Sequence, residues 1–207
     1  MSHTVCQRAD VDGVSVFYRE AGSPDAPTIL LLHGFPSSSR MWEPLLTRLA
    51  DSFHLVAPDY PGFGHSDAPD AAGFAYTFDH VAEIIGGFTE QLGLGRYTLF
   101  TQDYGGPVGF RLARAHPARV RALVVQNAVA HEDGLGRLWD TRRGPPLLVL
   151  WGRYDPSFLS AEAGAYRRDV PDAEVRLLDA GHFALDEQPG QVADLTRQFL
   201  HSGVPVP

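Results

Sequence analysis

YTLFTQDYGGPVGFRLARAHP, residues 97–117, runs from apolar residues through a lone acid, two glycines and a proline into a helical pattern. Residues 97–102 read as a strand and 105–117 as a helix. Asp103 stands on the turn between them, where a strained backbone needs small neighbours. Gly105 and Gly106 supply these, and Pro107 suits a first helical turn, where a missing N–H costs little. The helix N-terminus directs N–H groups and the positive end of its dipole at Asp103, which favours an ionised carboxylate. Thr101 narrows this turn, since a Gly is common two residues before such an acid. The plainer reading of Asp103 is a helix cap in a βα loop.

The same alternation extends outward in both directions. GVSVFYRE (13–20) reads as an early edge strand, TILLLHG (28–34) as a buried strand and FHLVAPD (53–59) as another. MWEPLLTRLA (41–50) and YTFDHVAEIIGGFTEQLG (76–93) have helical spacing. Beyond the opening stretch, VRALVVQN (120–127), PLLVLWG (146–152) and EVRLLDA (174–180) read as strands, and QPGQVADLTRQFLH (188–201) as a closing helix. Strands separated by helices imply parallel pairing through right-handed crossovers. The continuous apolar runs at 28–32 and 146–151 fit strands buried on both faces. The expected fold class is therefore α/β, a doubly wound and mostly parallel sheet with helices on both faces. A length of 207 residues fits one domain, 1–207, with a sizeable core.

Composition excludes several functions. A net charge of −8 argues against a nucleic-acid partner. All 17 basic residues are Arg, so Schiff-base lysine chemistry and a phosphate loop ending in Lys are excluded. Cys6 is the lone cysteine, which removes an internal disulfide and a Cys-cluster metal site. No metal or organic cofactor is expected. No run approaches the ~20 apolar residues of a membrane span, and no basic-then-apolar leader opens the chain. The expected location is cytoplasmic, with no membrane partner.

Chemistry in an open parallel sheet collects beyond the carboxyl ends of its strands. Four such ends here carry unusual residues: HGFP (33–36), Asp103, Asp155 in WGRYDPSF and His182 in AGHFALDE. An acid, a second acid and a histidine in that chain order make a triad pattern. His182 is the candidate base and Asp155 the acid that orients it. Asp155 is also readable as a turn residue before Pro156. Glu132 and Asp133 are rival acids, whereas Gln126 and Asn127 cannot ionise. His33 alone reads as structural. An oxyanion hole needs two N–H donors aimed at one point, and the backbone N–H groups of Phe35 and Tyr104 are the candidates.

HGFPSSSRMW, DYPGFGHSD, QDYGGPVGFRLA, WGRYDP and GHFALDEQP occur in this order. In that order they resemble the α/β-hydrolase superfamily, in its haloalkane dehalogenase and epoxide hydrolase branch. The resemblance covers residues about 12–133 and 145–201. It implies Asp103 as nucleophile, His182 as base, Asp155 as acid, and Phe35 and Tyr104 as oxyanion donors and substrate contacts. An aspartate displaces a leaving group at saturated carbon, and water readied by the histidine then cleaves the resulting ester. The implied partners are a small apolar organic substrate and water.

Two departures qualify the expectation. Dehalogenases of this branch hold halide with side-chain N–H donors, commonly a Trp after the nucleophile and an Asn after His-Gly. Tyr104 and Phe35 stand there instead. HGFP leans towards epoxide hydrolases, which need acidic tyrosines from a lid. The branch also inserts a helical cap where this chain has AVAHEDGLGRLWDTRRGP (128–145), a short loop in which Trp139 is a candidate substrate contact. A missing cap admits water to Asp103 and exposes apolar surface that favours a homo-oligomer. The expected function is dehalogenase-like hydrolysis. The alternatives are epoxide opening and a non-catalytic scaffold of the same fold.

Overall fold

In chain order the strands are β1 (Val5–Val11), β2 (Val14–Ala21), β3 (Thr28–Leu32), β4 (His54–Pro58), β5 (Tyr97–Gln102), β6 (Val120–Gln126), β7 (Leu147–Gly152) and β8 (Glu174–Leu178). The helices are α1 (Glu43–Leu49), α2 (Phe78–Gln91), α3 (Gly105–Ala115), α4 (Ser160–Asp169), α5 (Ala184–Glu187) and α6 (Pro189–Ser202). The computed structural model describes residues 3–128 and 144–202. The 128–145 connection, with Trp139, Glu132 and Asp133, therefore lies almost wholly outside the described residues.

All eight strands join one sheet in the order β1-β2-β4-β3-β5-β6-β7-β8. From β4 onward every neighbouring pair is parallel, while β1–β2 and β2–β4 are antiparallel. The doubly wound, mostly parallel expectation holds. One strand assignment needs correction. The 13–20 run is not an edge strand: β1 lies outside it, joined through Asp12 and Gly13, both at positive φ. That two-residue Asp-Gly turn is a hairpin signal. β1 itself is mostly exposed, and Gln7, Arg8 and Asp10 interrupt its apolar residues, so its hydrophobic pattern is faint. Helix α4 also lacks a sequence signature, since few of its residues are buried apart from Ala163 and Tyr166.

Every residue of β4, β5 and β7 is buried, as expected of strands covered on both faces. Alternate side chains of β3, β5 and β7 feed two cores. Leu30, Leu32, Leu99 and Val149 pack with Ile85 and Phe88 of α2, Val108 of α3 and Tyr166 of α4. Ile29, Leu31, Phe100 and Leu150 pack with Leu45 and Leu49 of α1, Leu185 of α5 and Phe199 of α6. From β3 the chain passes by α1 to β4 on one side, then returns by α2 to β5 on the other. The winding thus reverses between β3 and β5, and a crevice opens beyond the carboxyl ends of these two strands.

Candidate active site

Asp103 sits at that crevice, between the end of β5 and the start of α3, with φ 50°. A left-handed backbone costs a non-glycine residue roughly 1–2 kcal/mol, though Asp tolerates it better than most. Two glycines make the tight turn feasible. A Cβ on Gly105 would lie 2.0 Å from the Leu32 carbonyl oxygen, and one on Gly34 would lie 2.5 Å from the Asp103 Cβ. The Thr101 departure also has its answer in α3. Thr101 is fully buried, and a Cβ on Gly109 would stand 2.6 Å from the Thr101 Cγ2. The volume added on the strand is taken from the helix.

The Phe35 N–H donates to Asp103 Oδ1 at 2.8 Å. Tyr104, the second expected donor, makes no such bond to the Asp103 side chain among the described residues. Its ring instead stacks on Phe35 at 5.5 Å and meets Phe78 edge-on at 5.1 Å. Asp103 Oδ2 lies 3.6 Å from His182 Nε2. His182 comes from the loop between β8 and α5, where the rings of Phe158 and Phe183 pack edge-on against it. Its Nδ1 lies 2.8 Å from Asp155 Oδ2. The three residues singled out in sequence are thus brought into one chain of contacts.

Asp155 follows β7 and is buried. Burial works against its charge, but donors surround it. The Phe158 and Ser157 N–H groups reach Oδ1 at 2.9 and 2.8 Å, while His182 and Asn127 Nδ2 reach Oδ2 at 2.8 and 2.7 Å. Together these bonds outweigh burial and hold the carboxyl below the ordinary Asp value. Asn127 is the residue the sequence reading passed over, because an amide cannot ionise. It stands at the end of β6 with φ 42°, accepts from the Gly152 N–H at 3.1 Å, and through its carbonyl accepts from the Asp103 N–H at 3.3 Å. An Asn at a strand end, beside two strand-end acids, was the available signal.

His33 is structural, as its sequence context suggests. Its Nδ1 donates to the Gly34 carbonyl at 2.9 Å and its Nε2 accepts from the Tyr60 N–H at 3.2 Å. Burial drives its pKa down to about 4, although the Gly34 carbonyl and the Asp59 and Asp103 carboxylates pull the other way. Asp59 braces the DYPGFGHSD turn by accepting from the Ser39 and His65 N–H groups at 2.6 and 2.8 Å. This turn sets Tyr60 and Phe63 into a groove of about 550 Å³ shared with Phe35, Phe78, Tyr104 and Val108. The groove is predominantly aromatic and apolar. Asp103, Asp155 and His182 do not line it; Phe35, which bonds Asp103, and Tyr104, the next residue in the chain, form the border between groove and carboxylate. A surface groove of about 660 Å³ between α2 and α3 is lined by none of these residues. Among the described residues no helix is long and apolar enough to cross a membrane, and no cluster of three metal-ligating side chains occurs.

A sheet of this order with its crevice at β3 and β5 defines a doubly wound hydrolase-type fold. The chain belongs to the alpha/beta hydrolase fold family, whose sequence profile matches residues 27–141. It is 45% identical over 152 residues to the uncharacterized hydrolase YNR064C of Saccharomyces cerevisiae, covering 72% of this chain and 50% of that protein. It is 44% identical over 118 residues to a haloalkane dehalogenase of Bradyrhizobium diazoefficiens, covering 56% of this chain and 37% of that one. The chain thus spans half or less of the length of these curated relatives. Among solved structures, a CIB-like hydrolase from Thermoplasma acidophilum superposes with a TM-score of 0.85 at 24% identity, over 97% of this chain and 99% of its own. The haloalkane dehalogenase DbeA from Bradyrhizobium elkani gives 0.83 at 20% identity, over 96% and 98%. At such identities the likeness is one of fold.

Proposed function

We propose that this hydrolase attacks saturated carbon with Asp103 and turns over through an alkyl-enzyme ester, as a dehalogenase does. One observation carries the reading. Asp103 Oδ1 is tied to a backbone N–H while Oδ2 faces His182, which itself rests on Asp155. In the first step Oδ2 forms a bond to carbon and the halide leaves with the bonding pair. In the second, a water gives its proton to His182 Nε2 and adds to Asp103 Cγ. The negative charge then develops on Oδ1, beside the Phe35 N–H. The tetrahedral intermediate breaks its Cγ–Oδ2 bond; Oδ2 takes the proton from His182 and departs in the alcohol, and the water oxygen, now part of the Asp103 carboxyl, gives up its remaining proton to solvent, which restores the carboxylate. Asp155 holds Nδ1 protonated and balances the imidazolium. An ester substrate would give a mixed anhydride instead, so Asp at this turn favours alkyl over acyl transfer. The named dehalogenase relative supports the same class. The groove fits a small apolar organic substrate, with water as co-substrate.

Epoxide opening is the second reading. Phe35 has no side-chain donor for a halide, whereas Tyr104 presents a phenol O–H at the groove, a group able to protonate an alkoxide. Under either reading we take the chain as one domain in which the 128–145 connection stands in place of a helical cap.

Intact-mass analysis tests the nucleophile. A His182→Ala protein incubated with a bromoalkane or an aryl epoxide is expected to gain the mass of the alkyl group, on Asp103. Asp103→Asn is expected to gain none and to lose turnover by about a thousandfold or more. Bromide release from wild type selects the dehalogenase, and diol formation selects the epoxide hydrolase. An unchanged mass with both substrates defeats the proposal.

A further inference from the structure

His182 has a third polar neighbour that this mechanism leaves unused. Gln102, the last residue of β5, is fully buried, and its Nε2 lies 3.1 Å from His182 Nε2. A carboxylate only accepts, so the Asp155 contact puts the ring hydrogen on Nδ1 and leaves a lone pair on Nε2. The Gln102 amide N–H therefore donates to the atom that must take the proton from water. At the other end of the same amide, Oε1 is buried without a hydrogen-bond partner. Burying a carbonyl in this way costs on the order of 1–3 kcal/mol. It also lies on the Asp103 side: a Cβ on Gly34 would be 2.2 Å from Gln102 Oε1 and 2.9 Å from Asp103 Oδ1. A fixed donor would be served by other residue types; an amide carries a donor and an acceptor on two separate atoms of equal reach.

We propose that Gln102 is a positioning residue whose side-chain amide turns over with the charge of His182, donating to the neutral ring and accepting from the protonated one. With the ring neutral, the donated hydrogen bond holds the lone pair in the plane facing Asp103. When water takes the place of the amide and gives up its proton, Nε2 becomes a donor. Rotation of the amide by half a turn then presents Oε1 to it and swings the NH2 towards the Asp103 carboxyl. The orphaned carbonyl gains its partner at the point where the imidazolium needs one. The other charges around the ring are Asp155 after β7, Asp103 after β5 and Glu187 of α5, which holds the Gly181 N–H at 2.8 Å. None of these exchanges donor for acceptor.

The assignment of a hydrolytic role to this exchange rests on the Asp103 reading, but the exchange is measurable without turnover. The His182 ring is titrated by nitrogen NMR in wild type and in Gln102→Met, which keeps the volume and removes both polar atoms. Loss of the acceptor for the charged ring is expected to weaken proton binding by the ring about tenfold in Gln102→Met. Unchanged or tighter proton binding means a static donor and overturns the proposal. Should the Met variant not fold, the wild-type Gln102 carboxamide carbon decides. Its resonance is expected to shift at the His182 midpoint, and a resonance that ignores that titration overturns the proposal. In Gln102→Met the alkyl adduct is expected to accumulate in the presence of His182, because its hydrolysis slows more than its formation. A His182→Ala protein that never acquires an adduct defeats the Asp103 reading and leaves the ring titration to decide this one.

Discussion

Phe35 donates its backbone N–H to the Asp103 carboxylate at 2.8 Å, 68 positions further along the chain. No side-chain atom of Phe35 takes part, so the bond depends on how closely the loop after β3 approaches the turn after β5. Gly34 permits that approach.

Gly34→Ala tests it directly. The new Cβ would meet Gln102 Oε1 at 2.2 Å, too close for any contact, and must push the loop away. Hydrolysis of the alkyl-enzyme is expected to fall about a hundredfold, the usual cost of a lost oxyanion donor, with its formation less affected. Rapid-quench measurement of both steps decides. Equal slowing of the two counts against the N–H as an oxyanion donor.

Asn127→Ala should destabilise the protein by on the order of 2 kcal/mol, since it leaves the buried Asp155 and the Gly152 N–H each short of a partner. Urea unfolding gives the number. A loss of only a few tenths would mean that water replaces the amide without penalty.

Acid is expected to weaken the fold in two ranges. His33 is held neutral with a pKa of about 4, against 6.5 in an unfolded chain. Between those values the unfolded state binds the extra proton, so stability drops as pH falls from 6.5 to 4, by roughly 3 kcal/mol in total. Below that range Asp155, whose pKa is depressed in the fold, adds a further loss as it protonates. Urea midpoints recorded across this range should slope in wild type and flatten between pH 6.5 and 4 in His33→Gln. A variant that keeps the full slope assigns it elsewhere.

Gly109→Ala should cost about 1–3 kcal/mol, because its Cβ falls 2.6 Å from the Thr101 Cγ2. Thr101→Ser removes that methyl group. A double-mutant cycle is expected to return a coupling of about 1 kcal/mol or more. Additive effects would separate the two positions and leave Thr101 at the turn unexplained.

Phe35→Asn and Tyr104→Trp would place side-chain N–H donors at the mouth of the groove. If halide is the leaving group, the double variant should release bromide about tenfold faster, equivalent to ~1.4 kcal/mol in the barrier. Faster epoxide opening with no gain in bromide would favour the second reading.

Much of the candidate site was legible in sequence because strand ends carry chemistry in this fold class. The Asp103 turn, HGFP, Asp155 and His182 each sit where an apolar run stops, and each was found there. The parallel strands were equally plain, since burial on both faces leaves an unbroken apolar run. Strand β1 was not, because a half-exposed edge strand has no such run, and α4 buries too little to set a period.

Sequence alone determined which side chains stand at the strand ends and that one of them is a carboxylate on a glycine-lined turn. These follow from local rules, periodicity and backbone conformation, which act over a few residues. Only the tertiary structure decided who meets whom: that Asn127 braces Asp155, that Gly109 makes room for Thr101, and that Gln102 reaches His182. Those contacts join residues up to 80 apart in the chain, and they arise from the register and winding of the sheet rather than from any short pattern.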